Sequence, residues 1–267
     1  MPELLDNNAD WELPPPSIKE EPKEEPQMSE VGTLGGIFFE PENTFKDLQR
    51  KPRFILAGII IALLVTGLTF GIQMKVGEQA MRSFISGQIE KNSFTASLDK
   101  DQKAQAVDRQ ITLSKYTRFA VPIFVVISLL LGGLLYWLGS KALGGTGTFG
   151  QNLSVWIYSG FPPAVVGTIA NFVVLALKSA DDIDIANSQR GLVHANLGFF
   201  VPDGHPFITT LLGTFDVFAI WGWILAAIGL RVVNKTSKAS AWSLVLIIMA
   251  IGLLFRLLGV ILSGNAS

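Results

Sequence analysis

Five apolar runs divide the chain, over residues 54–72, 119–138, 153–177, 207–230 and 241–262. Each is long enough to cross the hydrocarbon core of a bilayer at about 1.5 Å of helical rise per residue. The third run shows no polar face recurring at a period of about 3.6 residues, so it reads as a membrane crossing and not as an amphipathic surface helix. Pro162 and Pro163 within it remove two backbone donors. The carbonyls they free need partners that lipid does not supply, which places this run inside a bundle. The pattern predicts an all-α fold: a polytopic membrane protein, a bundle of five transmembrane helices with interfacial amphipathic helices.

The polar stretches divide further. Residues 1–34 are rich in Glu, Pro and Asn and cannot bury enough apolar area to offset ordering, so they read as a disordered acidic tail, with Trp11 a stray aromatic or a short docking motif. Residues 35–265 form the membrane domain. Its first helix is predicted over 42–51, where Phe45 and Leu48 share a face and Arg50, Lys51 and Arg53 cluster beside the membrane; this helix should lie in the headgroup layer. After the first span, Val76, Ala80, Met81, Phe84, Ile85 and Ile89 repeat at helical spacing. Ala104, Val107 and Ile111 mark a second helix that closes a hairpin with them, resting on the membrane or capping the bundle. Pro122 falls in the first turn of the second span. The glycine-rich stretch 139–150 reads as a short flexible turn, because it lacks both the Gly-Lys-Ser/Thr ending and the preceding strand of a phosphate loop. Small residues at Gly58, Ala62, Gly67 and Gly71 predict close helix packing on the first span.

Composition narrows the function classes. With 49% hydrophobic residues and a mean hydropathy of +0.42, the chain is more apolar than a soluble domain of its length. A formal net charge of -1 leaves no basic surplus for a phosphate backbone, so no nucleic-acid partner is expected. The lack of cysteine removes disulfides, thiolate metal sites and thiol nucleophiles. His194 and His205 are too few for a His-rich centre, and Asp181, Asp182 and Asp184 lack EF-hand spacing; no metal and no cofactor is expected. Enzymatic activity is not expected either. The hydroxyls Ser154, Tyr158 and Ser159 have no histidine in any span to activate them, and paired intramembrane carboxylates are missing.

Two ionisable residues fall inside the predicted spans, Asp216 in the fourth and Arg256 in the fifth. A lone ionised group at such depth costs on the order of 2.5–3.5 kcal/mol, so each needs a partner. Asn171 in the third span lies at a depth similar to Arg256, and Asn171, Asp216 and Arg256 are predicted to meet as an outer-half polar cluster. An interhelical clamp is the first reading of that cluster and an ion or proton relay the second, since a relay would string further acidic or His groups along its path. Charge also sets orientation. Lys46, Arg50, Lys51 and Arg53 precede the first span, Lys141 lies in the second loop, and Arg231, Lys235 and Lys238 in the fourth, whereas the third loop sets Lys178 and Arg190 against Asp181, Asp182, Asp184 and Asp203; Arg109, Lys115 and Arg118 of the first loop count the other way. The positive-inside rule then predicts a cell (plasma or inner) membrane protein with a cytoplasmic N-terminus and a C-terminus on the outer side.

In the third span, Tyr158-Ser159-Gly160-Phe161-Pro162 matches the Gly-Tyr-x-x-x-Pro signature of the Yip family, five-span membrane proteins named for binding Ypt/Rab GTPases in eukaryotes, with Ile157 in place of the leading Gly. Phe39-Glu40-Pro41 followed by Thr44-Phe45, the turn Gly144-Gly145-Thr146-Gly147-Thr148-Phe149, Asn196-Leu197-Gly198-Phe199-Phe200 and Asp216-Val217-Phe218-Ala219-Ile220-Trp221 look like the prokaryotic-type branch. Tyr158 and Pro162 are the motif residues. The eukaryotic Asp-Leu-x-Gly-Pro motif before the first span is missing, so Rab-type GTPase binding does not carry over. The resemblance implies a membrane scaffold or adaptor with a trafficking-like or membrane-organising role, whose partners are the lipid bilayer and other membrane proteins or further copies of the chain. The alternative is a small-solute or ion permease working as an oligomer, because five spans do not divide into equal inverted halves.

Overall fold

Local capping chemistry sets where the helices begin. The computed structural model describes residues 25–92, 94–95, 97–188, 191–202 and 204–262. The predicted tail as far as residue 24, with Trp11, and the loop residues Arg190 and Asp203 lie outside the described residues. Ser29 starts α1 (Glu30–Phe39), its side chain accepting a hydrogen bond from the Gly32 amide. Residues 30–34, predicted as tail, are therefore helix. Thr33 and Ile37 are fully buried against the bundle, and that packing outweighs the helix cost of Gly32, Gly35 and Gly36. Pro41 opens α2 (Pro41–Arg50) at the position where a missing N–H costs nothing.

The first two crossings are longer than their apolar runs. α3 (Ile55–Lys91) passes through Gly77, whose φ of +77° is a left-handed conformation that interrupts the helix. α4 (Lys100–Ala142) begins at a capping box formed by Asp99 and Gln102. Pro122, predicted in a first turn, lies in the interior of α4, because the helix begins well before the apolar run. Beyond the apolar runs the two helices pair as the predicted hairpin, with Ile85, Ile89 and Ile111 buried and Met81, Phe84 and Val107 packed around them. Arg82 bridges Glu78 at 3.1 Å and Asp108 at 2.6 Å along its flank.

A second capping box, Thr148 with Gln151, starts α5 (Phe149–Leu177), which continues as one helix through Pro162 and Pro163. The chain then passes through α6 (Ile185–Ser188), a 3-10 turn (Leu197–Phe200) and α7 (Pro206–Leu212) before α8 (Val217–Asn234) and α9 (Lys238–Leu262). The predicted fourth span, 207–230, is thus two helices. Asp216 accepts hydrogen bonds from the Phe218 amide at 2.8 Å and the Ala219 amide at 3.3 Å, which makes it the N-cap of α8. Hydropathy averages across such a cap and merges what the backbone separates.

α3, α4, α5, α8 and α9 are long and apolar enough to cross a membrane. α5 lies at the centre, packed on α3, α4 and α8, and α9 packs outside α4 and α8. Glycines let α4 come close: a Cβ at Gly133 would stand 2.9 Å from the Leu153 Cα, and one at Gly132 would enter the Trp156 ring. The predicted packing residues on α3 face neighbours less tightly. A Cβ at Gly71 would meet Leu175 at 3.0 Å, whereas Gly58 and Gly67 leave an ordinary 3.6 Å to Ile157 and Phe172, and Ala62 is half-buried. Alternation of the crossings places α1, α2 and the turn between α4 and α5 at one end of the bundle, here the proximal end. The segment 178–216 lies at the distal end.

Candidate functional site

The proximal end carries a buried polar assembly beneath a docked helical hairpin. Phe45 and Leu48 of α2 are fully buried, and Gly229 of α8 makes room for the Phe45 ring, since a Cβ there would approach it to 2.8 Å. α2 was predicted to offer this face to the headgroup layer; instead the protein core covers it. Gln49 donates to the Val232 and Val233 carbonyls at 3.0 and 3.1 Å, satisfying acceptors that the last turn of α8 leaves open. Its own carbonyl accepts from the Gln151 side chain on α5. At the rim, Arg231 reaches Glu42 at 2.8 Å. The Lys46 ammonium beside Glu42, followed by the Arg231 guanidinium, holds the Glu42 carboxyl below the usual carboxylate range.

Two buried contacts fix where the chain enters this hairpin. Thr33 of α1 and Tyr158 of α5 share a hydroxyl–hydroxyl hydrogen bond of 2.8 Å, with Thr33 fully buried and Tyr158 nearly so. Phe38 packs edge-on to Phe161 and Trp221 beside them. Asp47 accepts from the Gln27 and Met28 amides and from the Arg53 guanidinium, and Arg53 also donates to the Met28 carbonyl at 2.7 Å. Burial pushes the Asp47 carboxyl up, but Arg53 and the two amides outweigh it and hold the group below its ordinary value. Arg53, counted from sequence as a charge beside the membrane, is in fact enclosed, its side chain 9% exposed. Next to Asp47 opens a cleft of about 250 Å³, lined by Gln27, Met28, Glu40, Asn43, Lys46 and Arg50.

The glycine-rich turn, predicted to be flexible, is tied to the bundle by hydrogen bonds. Asn152 of α5 and Asn234 of α8 exchange amide hydrogen bonds at 3.0 and 2.9 Å, and Ser140 of α4 donates to the Asn152 carbonyl oxygen at 3.2 Å. All three are buried. The Thr146 amide donates to the Asn234 backbone carbonyl at 3.2 Å, and a Cβ at Gly147 would overlap the Asn234 side chain at 2.4 Å. Three crossing helices and the turn thus converge on one pair of side-chain amides. Lone Asn residues at the ends of apolar runs were the available signal; Thr33 and Asp47 had none in the periodicity.

Asn171, Asp216 and Arg256 do not form the predicted cluster. Asn171 accepts from the Leu192 and Val193 amides and donates to the Gly167 carbonyl, so it holds the third loop. Asp216 caps α8 and sits in an antiparallel bridge with Asn196 of that same loop. Arg256 lies exposed on α9 with no hydrogen bond or ion pair among the described residues. The clamp and relay readings both required a meeting of charges that the structure does not show, since Asp216 caps α8 and Arg256 is exposed on α9. Of the motif pair, Pro162 is buried within α5 and Tyr158 reaches α1. Among the described residues no group of His, Asp and Glu is arranged to hold a metal ion.

Five membrane-crossing helices around a proline-bearing third span, closed at one end by a docked hairpin, define a five-span α-helical integral membrane protein. The Yip1 domain family matches residues 35–261, and the chain belongs to that family. The chain is similar to the membrane protein YknW of Bacillus subtilis strain 168, at 23% identity over 230 residues, 86% of this chain and 90% of that protein. No solved structure matches it.

Proposed function

We propose that this protein is a non-enzymatic membrane scaffold or adaptor of the cell membrane, with a cytoplasmic N-terminus and an outer C-terminus, that presents its N-terminal segment to membrane partners or to further copies of itself. The observation that carries this reading is the locking of the α1–α2 hairpin: Asp47 holds residues 27 and 28, and Tyr158 holds Thr33, so the preceding segment joins the bundle at a fixed point. Lys46, Lys51, Lys141, Arg231, Lys235 and Lys238 gather at that same end, which favours the cytoplasmic side for it. The permease alternative loses support. Tyr136, Leu153, Tyr158, Phe161 and Leu230 fill the bundle at this end, and the charges a relay would use stand apart.

The test uses the full chain in native membranes with a photoreactive side chain at Lys46 or, as a control, at Lys178 of the distal end. Specific protein adducts from position 46 that are lost when residues 1–24 are deleted support the scaffold. Gradient-coupled solute uptake by the purified protein in liposomes, or identical adduct patterns from both positions, overturns it.

A further inference from the structure

Among the described residues, Arg256 is a charged residue within a crossing helix whose side chain pairs with no protein group. It projects from the part of α9 where Leu254, Phe255, Leu258 and Ile261 are also exposed, a surface that hydrocarbon covers in a membrane wherever no second protein does. Neither α8 nor α9 contains an acidic residue, and the one carboxylate predicted to pair with it, Asp216, is used as a helix cap. From Arg256 to the end of α9 at Leu262 is roughly 9 Å of helical rise, a gap that a long arginine stem can span by snorkelling. Gly252 and Gly259 lie one turn to either side on the same face, and a Cβ at either position would meet nothing within 4 Å. The helix surface beside Arg256 is therefore open, and an acyl chain can lie alongside the stem.

The level of the interface is marked independently. Leu197, Phe199 and Phe200 of the 3-10 turn are 53%, 61% and 78% exposed, although they belong to a loop and not to a crossing helix. That turn packs on α7, and α7 packs on α9. Aromatic and aliphatic side chains of this kind settle at the boundary between headgroups and hydrocarbon. They mark the headgroup level of the distal leaflet on the side of the bundle that α9 borders.

We infer that Arg256, with Gly252 and Gly259, forms a binding site for the phosphate of an anionic phospholipid in the distal leaflet. The guanidinium donates two parallel hydrogen bonds to the phosphodiester oxygens, a geometry that suits arginine better than lysine. A phosphatidylglycerol phosphate carries no cation of its own, whereas the choline of phosphatidylcholine competes for the same oxygens. The site does not depend on the scaffold reading, since it faces lipid at the opposite end from the hairpin.

The experiment is native mass spectrometry of the delipidated full-length protein offered equal amounts of phosphatidylglycerol and phosphatidylcholine. The wild type is expected to retain phosphatidylglycerol about tenfold over phosphatidylcholine. Arg256→Gln is expected to lose that preference and Arg256→Lys to keep part of it. Gly252→Ile, which covers the open helix surface beside the stem without touching the charge, should reduce retention of both lipids, and Lys178→Gln at the same end should change nothing. Circular dichroism of each variant confirms that the helices remain. The proposal is overturned if the wild type does not discriminate, if Arg256→Gln retains phosphatidylglycerol as the wild type does, or if the wild type is a dimer that Arg256→Gln dissociates. In the last case a carboxylate of a second copy holds the guanidinium.

Discussion

At the proximal end Asn152 and Asn234 satisfy each other's side-chain amides, whereas at the distal end Asn171 turns its oxygen to the backbone of a loop. The proximal acid, Asp47, is enclosed with Arg53; the distal acid, Asp216, closes the first turn of its own helix. Polar groups at the first end therefore join elements far apart in sequence, as from residue 33 to 158 and 152 to 234. At the second end the ties of Asn171 and Asp216 stay within the stretch 167–219, although Lys75 reaches across to the Leu175 carbonyl. The difference teaches where cooperativity resides. Removing a proximal group leaves a buried side chain on another helix without a partner, while removing Asn171 releases loop backbone, buried at Leu192 and half-buried at Val193.

The largest effect expected from this contrast is at Asp47. Asp47→Ala leaves the enclosed Arg53 guanidinium unpaired and frees the Gln27 and Met28 amides, a loss of about 3–5 kcal/mol for breaking a buried pair from one side. Thermal unfolding in mild detergent reads it, and a loss below about 1 kcal/mol, the scale of a surface ion pair, would show that water already reaches the pair. The pH dependence has a definite sign. A carboxyl held below its ordinary value stabilises the fold above the unfolded-state pKa of about 3.9, and this contribution disappears as pH falls through the lower folded value. The wild-type midpoint should therefore drop on acidification below about pH 4 more steeply than that of Asp47→Asn.

Next in size is the amide pair. Asn152→Leu strands the Asn234 side chain and the Ser140 hydroxyl, at a cost of about 1–3 kcal/mol. Replacing both Asn152 and Asn234 with Leu should cost less than the sum of the single changes, because no buried amide then remains unpaired. Additive losses would mean that each amide is satisfied without the other. At the distal end, Asn171→Leu should cost about 1 kcal/mol and raise hydrogen exchange at Leu192 and Val193 while leaving the proximal amides protected. Exchange spreading to Thr146 would erase the distinction between the ends.

The same contrast explains what the residue pattern revealed. Crossings are long and summed over many side chains, so the runs behind α3, α4, α5 and α9 stand out even where helix ends differ. The prolines of the third run correctly mark the central helix, since their missing donors are tolerable only inside protein. Failures cluster where one residue has two meanings. Asp216 read by hydropathy is a charge in a span, yet Asp followed by an apolar run is equally an N-cap, and Gly213 just before it was a further sign of a break. Arg53 counted toward a positive rim until Asp47, six residues earlier, enclosed it. The Asn152–Asn234 pair spans 82 positions, and no local window contains both.

The smallest effect is the most direct test of that misreading. If Asp216 and Arg256 met within the bundle, exchanging them would restore what either single change removes. With Asp216 as a cap and Arg256 on the outer face of α9, Asp216→Arg should cost about 1 kcal/mol through the lost cap, and adding Arg256→Asp should recover none of it. The gentler cycle of Asp216→Asn with Arg256→Gln isolates the pair itself, because Asn caps a helix almost as well as Asp. Its coupling should fall within about 0.5 kcal/mol of zero, the behaviour of separated sites. A coupling above about 1 kcal/mol would return the two charges to one cluster and place Asp216 inside the span after all. The exchange of Asp216 and Arg256 thus tests the chain break at 213–216 without requiring any knowledge of the protein's partners.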